Sequence, residues 1–131
     1  MNKTHATVAL IPSQSVPAGS TVAAVADATT NVDGGVITVR IANGATGPTV
    51  QMVVQILVAH AQATPPAAAP AGTGNLDWKV VHEYAIGVAA NAAPNLPPFV
   101  FGPEFPHIQV RAGGHTGQAV TAEALLSTFN Y

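Results

Sequence analysis

Hydrophobic and polar positions alternate along much of this chain, in short runs broken by glycine and proline. In Val36–Ala42, Ile37, Val39 and Ile41 fall on one face and Val36, Thr38, Arg40 and Ala42 on the other. A period of two is the mark of a strand with one face against a core. The same reading predicts strands at Ala6–Ile11, Thr21–Val25, Thr49–His60, Trp78–Ile86, His107–Ala112 and Ala119–Leu125. Thr49–His60 is the longest of these. Its residues Val50, Met52, Val54, Ile56 and Val58 share a face, while Gln51, Val53, Gln55 and Leu57 make a mixed, partly covered one. Trp78–Ile86 gives the clearest half-buried pattern: Trp78, Val80, His82, Tyr84 and Ile86 one way, Asp77, Lys79, Val81 and Glu83 the other.

The 12 glycines and 11 prolines leave few windows in which a helix could run. Pro12–Gly19 is expected to close the first strand. Asn31–Gly35 reads as a turn, because Asp33-Gly34 offers the positive φ that tight turns need. His107–Ala112 and Ala119–Leu125 are expected to form the last hairpin. Two stretches are irregular: residues 61–75, rich in proline and alanine, and Asn91–Pro98, which runs into Phe99-Val100-Phe101. The first reads as an extended arm with polyproline-like backbone. The tail, residues 126–131, carries Phe129 and Tyr131 and is expected to dock, on its own chain or on a neighbour. Seven or eight short strands predict an all-β chain, a single-domain antiparallel β-sandwich or jelly roll spanning residues 1–131.

Two segments resemble one another. Val39–Val50 and Val110–Val120 share Val-Arg, an alanine, Gly-x-Thr-Gly and a closing valine, with one gap. Each reads as strand, glycine-rich turn, strand. The pair suits two hairpin turns at related corners of a sandwich.

Charge changes the picture more than hydropathy does. Only 8% of residues are charged, against roughly 25% in an average soluble protein. Alanine and valine cannot hydrate a surface, so much of this one is expected to be covered by other subunits. The four basic residues, Lys3, Arg40, Lys79 and Arg111, are scattered in a chain of net charge −2. They cannot neutralise the roughly six to ten phosphates of a nucleic-acid footprint, and they do not suit an anionic membrane surface. There is no cysteine, so no disulfide or thiolate metal site enters. The opening residues lack the long apolar run of a signal peptide, which suits synthesis in the cytoplasm.

No motif selects a reaction. The six carboxylates are isolated, and no phosphate-binding loop or nucleophile elbow occurs. The chain reads as non-enzymatic, with no catalytic residue and no cofactor. His5, His60, His82, His107 and His115 lack ligand spacing. His60 and His82 flank the proline-rich stretch and could meet across a hairpin, so a metal site of His60, His82 and His115 is a weak third reading. The interface candidates are Arg40 and Arg111, at matching places in the two similar segments; Pro65, Pro66 and Pro70 in the arm; and Trp78, Phe99, Phe101, Phe129 and Tyr131 as anchors. The aromatics, with Phe105, also suit a sugar-stacking platform.

Thr38–Val50, Asp77-Trp78-Lys79 and Ile108–Ala124 together resemble small virion proteins of tailed bacteriophages, over roughly residues 36–125. The likeness is greatest to capsid decoration, or cement, proteins. That resemblance implies a β-sandwich or jelly roll without catalytic residues. It would bind the outer capsid surface and stabilise contacts between neighbouring major capsid proteins. The implied partners are the major capsid protein and further copies of the chain, as dimer or trimer, with no nucleic acid and no membrane. The implied location is the virion, after synthesis in the host cytoplasm. The alternative is a tail or fibre module that binds a receptor or carbohydrate.

Overall fold

The structure is a computed structural model and describes residues 4–26, 33–59, 78–102 and 107–130. Eight strands follow one another: β1 (Thr4–Val16), β2 (Val22–Ala26), β3 (Gly34–Asn43), β4 (Val53–Ala59), β5 (Lys79–Ala85), β6 (Phe99–Phe101), β7 (His107–Gly113) and β8 (Val120–Asn130). They build two four-stranded sheets, ordered β1-β8-β3-β6 and β2-β7-β4-β5. Every pairing is antiparallel. The chain changes sheet at every connection except β4 to β5. Two four-stranded sheets woven in this order make a jelly roll. Among the described residues there is no helix.

The inner faces follow from the alternation. Ile37, Val39 and Ile41 of β3 and Ala122, Ala124 and Leu126 of β8 meet Val54 and Ile56 of β4 and Ile108 and Val110 of β7 in one buried cluster. Ile56 is fully buried, and taking such a side chain out of water contributes roughly 1.5–3 kcal/mol.

Gly34 and Gly35 sit inside β3, not in the expected turn. A Cβ at Gly35 would stand 2.7 Å from the Phe101 ring, and one at Gly34 would stand 3.0 Å from the Phe129 ring. The glycines make room for neighbouring backbone as well as for those two rings, since a Cβ at Gly35 would also stand 2.5 Å from the Ser127 carbonyl oxygen and one at Gly34 2.6 Å from that of Phe101.

Several expectations need correction. His107–Ala112 and Ala119–Leu125 do not form a hairpin: β7 belongs to one sheet and β8 to the other. The first similar segment likewise carries the chain from β3 to β4, across the sandwich. Both are corners, and they lie side by side through a bridge between Val50 and Thr116. β1 runs on through Pro12 to Val16 as the longest strand, with register shifts after Ala9 and Ile11. An edge strand can hold proline because its outer N–H has no partner to lose. The segment expected to be longest is strand only over Val53–Ala59. β5 is mostly exposed, with Tyr84 its one buried residue, because it is an edge strand. Phe99–Phe101 forms a short strand that was not expected. Residues 126–130 are no separate tail. They complete β8, between β1 and β3. The arm, residues 61–75, lies outside the described residues.

Candidate functional site

The outer face of the β1-β8-β3-β6 sheet is built from the strand positions that turn away from the core. One row crosses all four strands: Val100, Val36, Ser127 and Thr7. The Thr7 and Ser127 hydroxyls hydrogen-bond at 3.1 Å. The next row holds Thr38, Leu125 and Ala9, and beyond it Arg40 stands opposite Glu123. Their side chains pair at 3.2 Å, with Arg40 72% exposed and Glu123 17% exposed. Val100 is 66% exposed. Small, hydroxylated and aliphatic side chains surround one self-neutralised ion pair.

The outer face of the other sheet is different. Ala23, Arg111, Gln55 and Glu83 form a row across β2, β7, β4 and β5. Arg111 is 2% exposed and donates to the Gln55 side-chain oxygen. Burial holds its guanidinium below its ordinary pKa. Gln55, Glu83 and Arg111 line a cavity of about 320 Å³ with Thr21, Val53, Gly113 and Gly114. Next to this row Leu57, Ala59 and Trp78 form a second buried apolar cluster, with Val25 against it. Every residue of β7, from His107 to Gly113, is buried. The β7 side of this face, with a buried arginine and a buried tryptophan, is enclosed, while Glu83 at its β5 edge stays exposed.

Polar side chains brace the corners. Asn43, at the end of β3, is buried and donates through Nδ2 to the carbonyls of Ala89 at 2.9 Å and Gly87 at 3.3 Å. His115 is fully buried, with Nε2 2.8 Å from the Val16 carbonyl. A carbonyl can only accept, so that nitrogen carries the proton.

The sequence candidates therefore separate. Arg40 and Arg111 match in sequence but not in setting: one is at the surface in an ion pair, the other enclosed. Trp78 and Phe101 are buried, so neither ring is open to a sugar. Phe99 is half-buried and stacks on His82, centroids 5.6 Å apart. Phe129 is half-buried within β8. Pro65, Pro66, Pro70, Tyr131 and Phe105 lie outside the described residues. So does His60, while His115 is enclosed at a corner and His82 is exposed on β5. Among the described residues no three potential ligand side chains converge on a metal position. Gln55, Asn43 and Tyr84 were not singled out from sequence. Alternation puts Gln55 on the mixed face of its strand, but only the strand order sets it between Arg111 and Glu83.

No family model matches the sequence. No curated protein matches it either. Among solved structures, a chain in the structure of infectious bursal disease virus, Gx strain, is similar at 17% identity with a TM-score of 0.46. That match covers 99% of this chain and 32% of the viral one. A chain of the T13 IBDV viral particle is similar at 11% identity with a TM-score of 0.46, over 96% of this chain and 31% of its own length. This chain thus spans about a third of the length of each. The jelly-roll assignment rests on the strand order.

Proposed function

We propose that this chain is a non-enzymatic virion structural protein, and within that class a capsid decoration protein that bridges neighbouring major capsid proteins. The observation that carries the reading is the β1-β8-β3-β6 outer face. Its charged groups among the described residues are Arg40 and Glu123, which face each other. Val36, Val100, Leu125 and Phe129 stand on the same face. Uncharged sheet faces rimmed by short side chains suit burial against another protein. Jelly rolls serve in viral capsids and also in lectins and cupins, so the fold alone does not choose among them. The lectin-like alternative depends on open aromatics, and the enclosed Trp78 and Phe101 weigh against it. Many copies on a lattice need only modest single contacts, because valency multiplies them.

The test is co-sedimentation of the purified chain with capsids that lack it. Saturable binding at a fixed ratio per capsid protein is expected, together with greater heat resistance of the loaded particles. A chain that stays in the supernatant at every ratio would contradict the proposal.

A further inference from the structure

Each sheet of the sandwich ends in two edge strands, and β5 differs from the other three. β1 carries Pro12 and two register shifts, β2 is a run of valine and alanine, and β6 is short. None of those three holds a Lys, Arg, Asp or Glu, whereas β5 holds Lys79 and Glu83. β5 pairs with β4 on one side, and among the described residues no strand pairs with it on the other. Lys79 through Glu83 are all exposed, with Val80 at 36% and Val81 at 40%. A sheet edge in that state offers its outward N–H and C=O groups to another strand.

The charges on this edge are uncommitted. Among the described residues the ion pair is Arg40 with Glu123, and Lys79 and Glu83 take part in none. Arg111, in the same row as Glu83, is separated from it by Gln55, which takes a hydrogen bond from the guanidinium. An edge guarded against copies of itself repels them with charge of one sign. β5 carries one of each sign, evenly spaced about Val81. Two such strands laid antiparallel about Val81 bring Lys79 of each beside Glu83 of the other, with the exposed valines between them. Laid parallel, they set like charge against like. Val81 itself has no partner residue on β4, because the register shifts between Ile56 and Leu57. A bulge bends a strand and shortens what can pair, which confines the contact to Lys79–Glu83. The His82 ring is engaged within its own chain, stacked on Phe99 at 5.6 Å and edge-on to Tyr84 at 4.6 Å.

We propose that the occupant of this edge is a second copy of the chain: two copies pair β5 to β5 in antiparallel sense, and Lys79 of each closes an ion pair with Glu83 of the other. A two-fold axis beside Val81 makes every contact twice. The pairing joins two β2-β7-β4-β5 sheets edge to edge and leaves the outer face of β1-β8-β3-β6 open in both copies. The inference stands apart from capsid binding: a monomer that pellets with capsids would overturn it and leave that role intact.

The test is sedimentation equilibrium of the full chain over a concentration series, for the native chain, Lys79→Glu, Glu83→Lys and an equal mixture of the two variants. The native chain is expected to reach twice the chain mass at the top of the series. Either variant alone sets like charges together at both contacts and is expected to dimerise about tenfold more weakly. In the mixture, a Lys79→Glu copy meets a Glu83→Lys copy with unlike charges at both contacts, so the dimer returns. That recovery also shows both variants to be folded. Over the same concentrations the β5 amides that do not bond to β4 become protected from exchange. A native chain of single mass throughout would overturn the proposal, and so would a trimer. Single variants that dimerise like the native chain, a mixture no tighter than its components, or a dimer whose β5 amides exchange unchanged would do the same.

Discussion

The Thr49 N–H donates to the Thr116 carbonyl at 2.7 Å, and the Thr116 N–H returns to the Val50 carbonyl at 3.3 Å. These threonines lie just beyond and within the two glycine-rich corners that resemble each other in sequence. The corners therefore touch, and each fixes the other. Gly19 joins them, its N–H donating to the His115 carbonyl at 3.0 Å. One end of the sandwich is closed by backbone bonds among three loops.

Gly117→Ala is expected to destabilise this end. Gly117 has φ of +90°, and a Cβ there would stand 2.3 Å from the Thr49 hydroxyl oxygen and 3.0 Å from its backbone nitrogen. The left-handed backbone alone costs an alanine about 1–2 kcal/mol, and the clash adds to it. Gly87→Ala is the control: φ is +79° with nothing near the new carbon. Urea unfolding of both variants should show the larger loss for Gly117→Ala. Equal losses would mean that the corner yields.

The two matched arginines should part in stability measurements. Arg40→Ala removes an exposed pair at 3.2 Å and is expected to cost about 0–1 kcal/mol. Arg111→Ala empties a buried position and leaves the Gln55 side-chain oxygen without its donor, at a cost of about 2–4 kcal/mol. Denaturant midpoints for the two single variants decide the matter, and similar values would contradict the assigned settings.

Asn43→Ala should loosen the loop after β5. Two donor bonds from a buried amide are lost, and the Gly87 and Ala89 carbonyls must find water. About 1–3 kcal/mol is expected. Hydrogen exchange at Asn91, whose N–H donates to the Gly44 carbonyl at 2.8 Å, should quicken in the variant. An unchanged rate would place the brace elsewhere.

Tyr84 carries an alkaline signature. Burial raises its pKa above the ordinary 10.0. The folded chain then holds the phenolic proton more tightly than the unfolded one. The stabilisation is complete below pH 10 and is lost as pH rises through the folded value. Tyr84→Phe gives up the bond to Pro97 at neutral pH, at about 1 kcal/mol, but should lose less stability than the native chain above pH 10. Parallel pH profiles for the two would contradict this.

Much of the jelly roll is legible in the sequence. The alternation around Ile37, Val39 and Ile41 placed β3 and its faces, and the glycine-rich segments marked two corners. The sheet each strand joins was not legible. A turn such as Gly114–Gly117 reads the same whether the chain folds back or crosses the sandwich, because the choice rests on contacts far away in sequence. β6 was hidden because three residues among prolines carry no period. Gly34 and Gly35 read as a turn because nothing local reveals the Phe101 and Ser127 backbone, or the rings of Phe101 and Phe129, that crowd them. Arg40 and Arg111 looked equivalent because burial on an outer face depends on what covers the sheet.

Pelleting the chain with undecorated capsids, after its solution mass is fixed by light scattering, tests the central claim most directly. A defined oligomer that co-sediments at constant stoichiometry, and protects the particles against heat, is the expected result. A well-folded chain of defined mass that never leaves the supernatant would contradict the capsid-binding role.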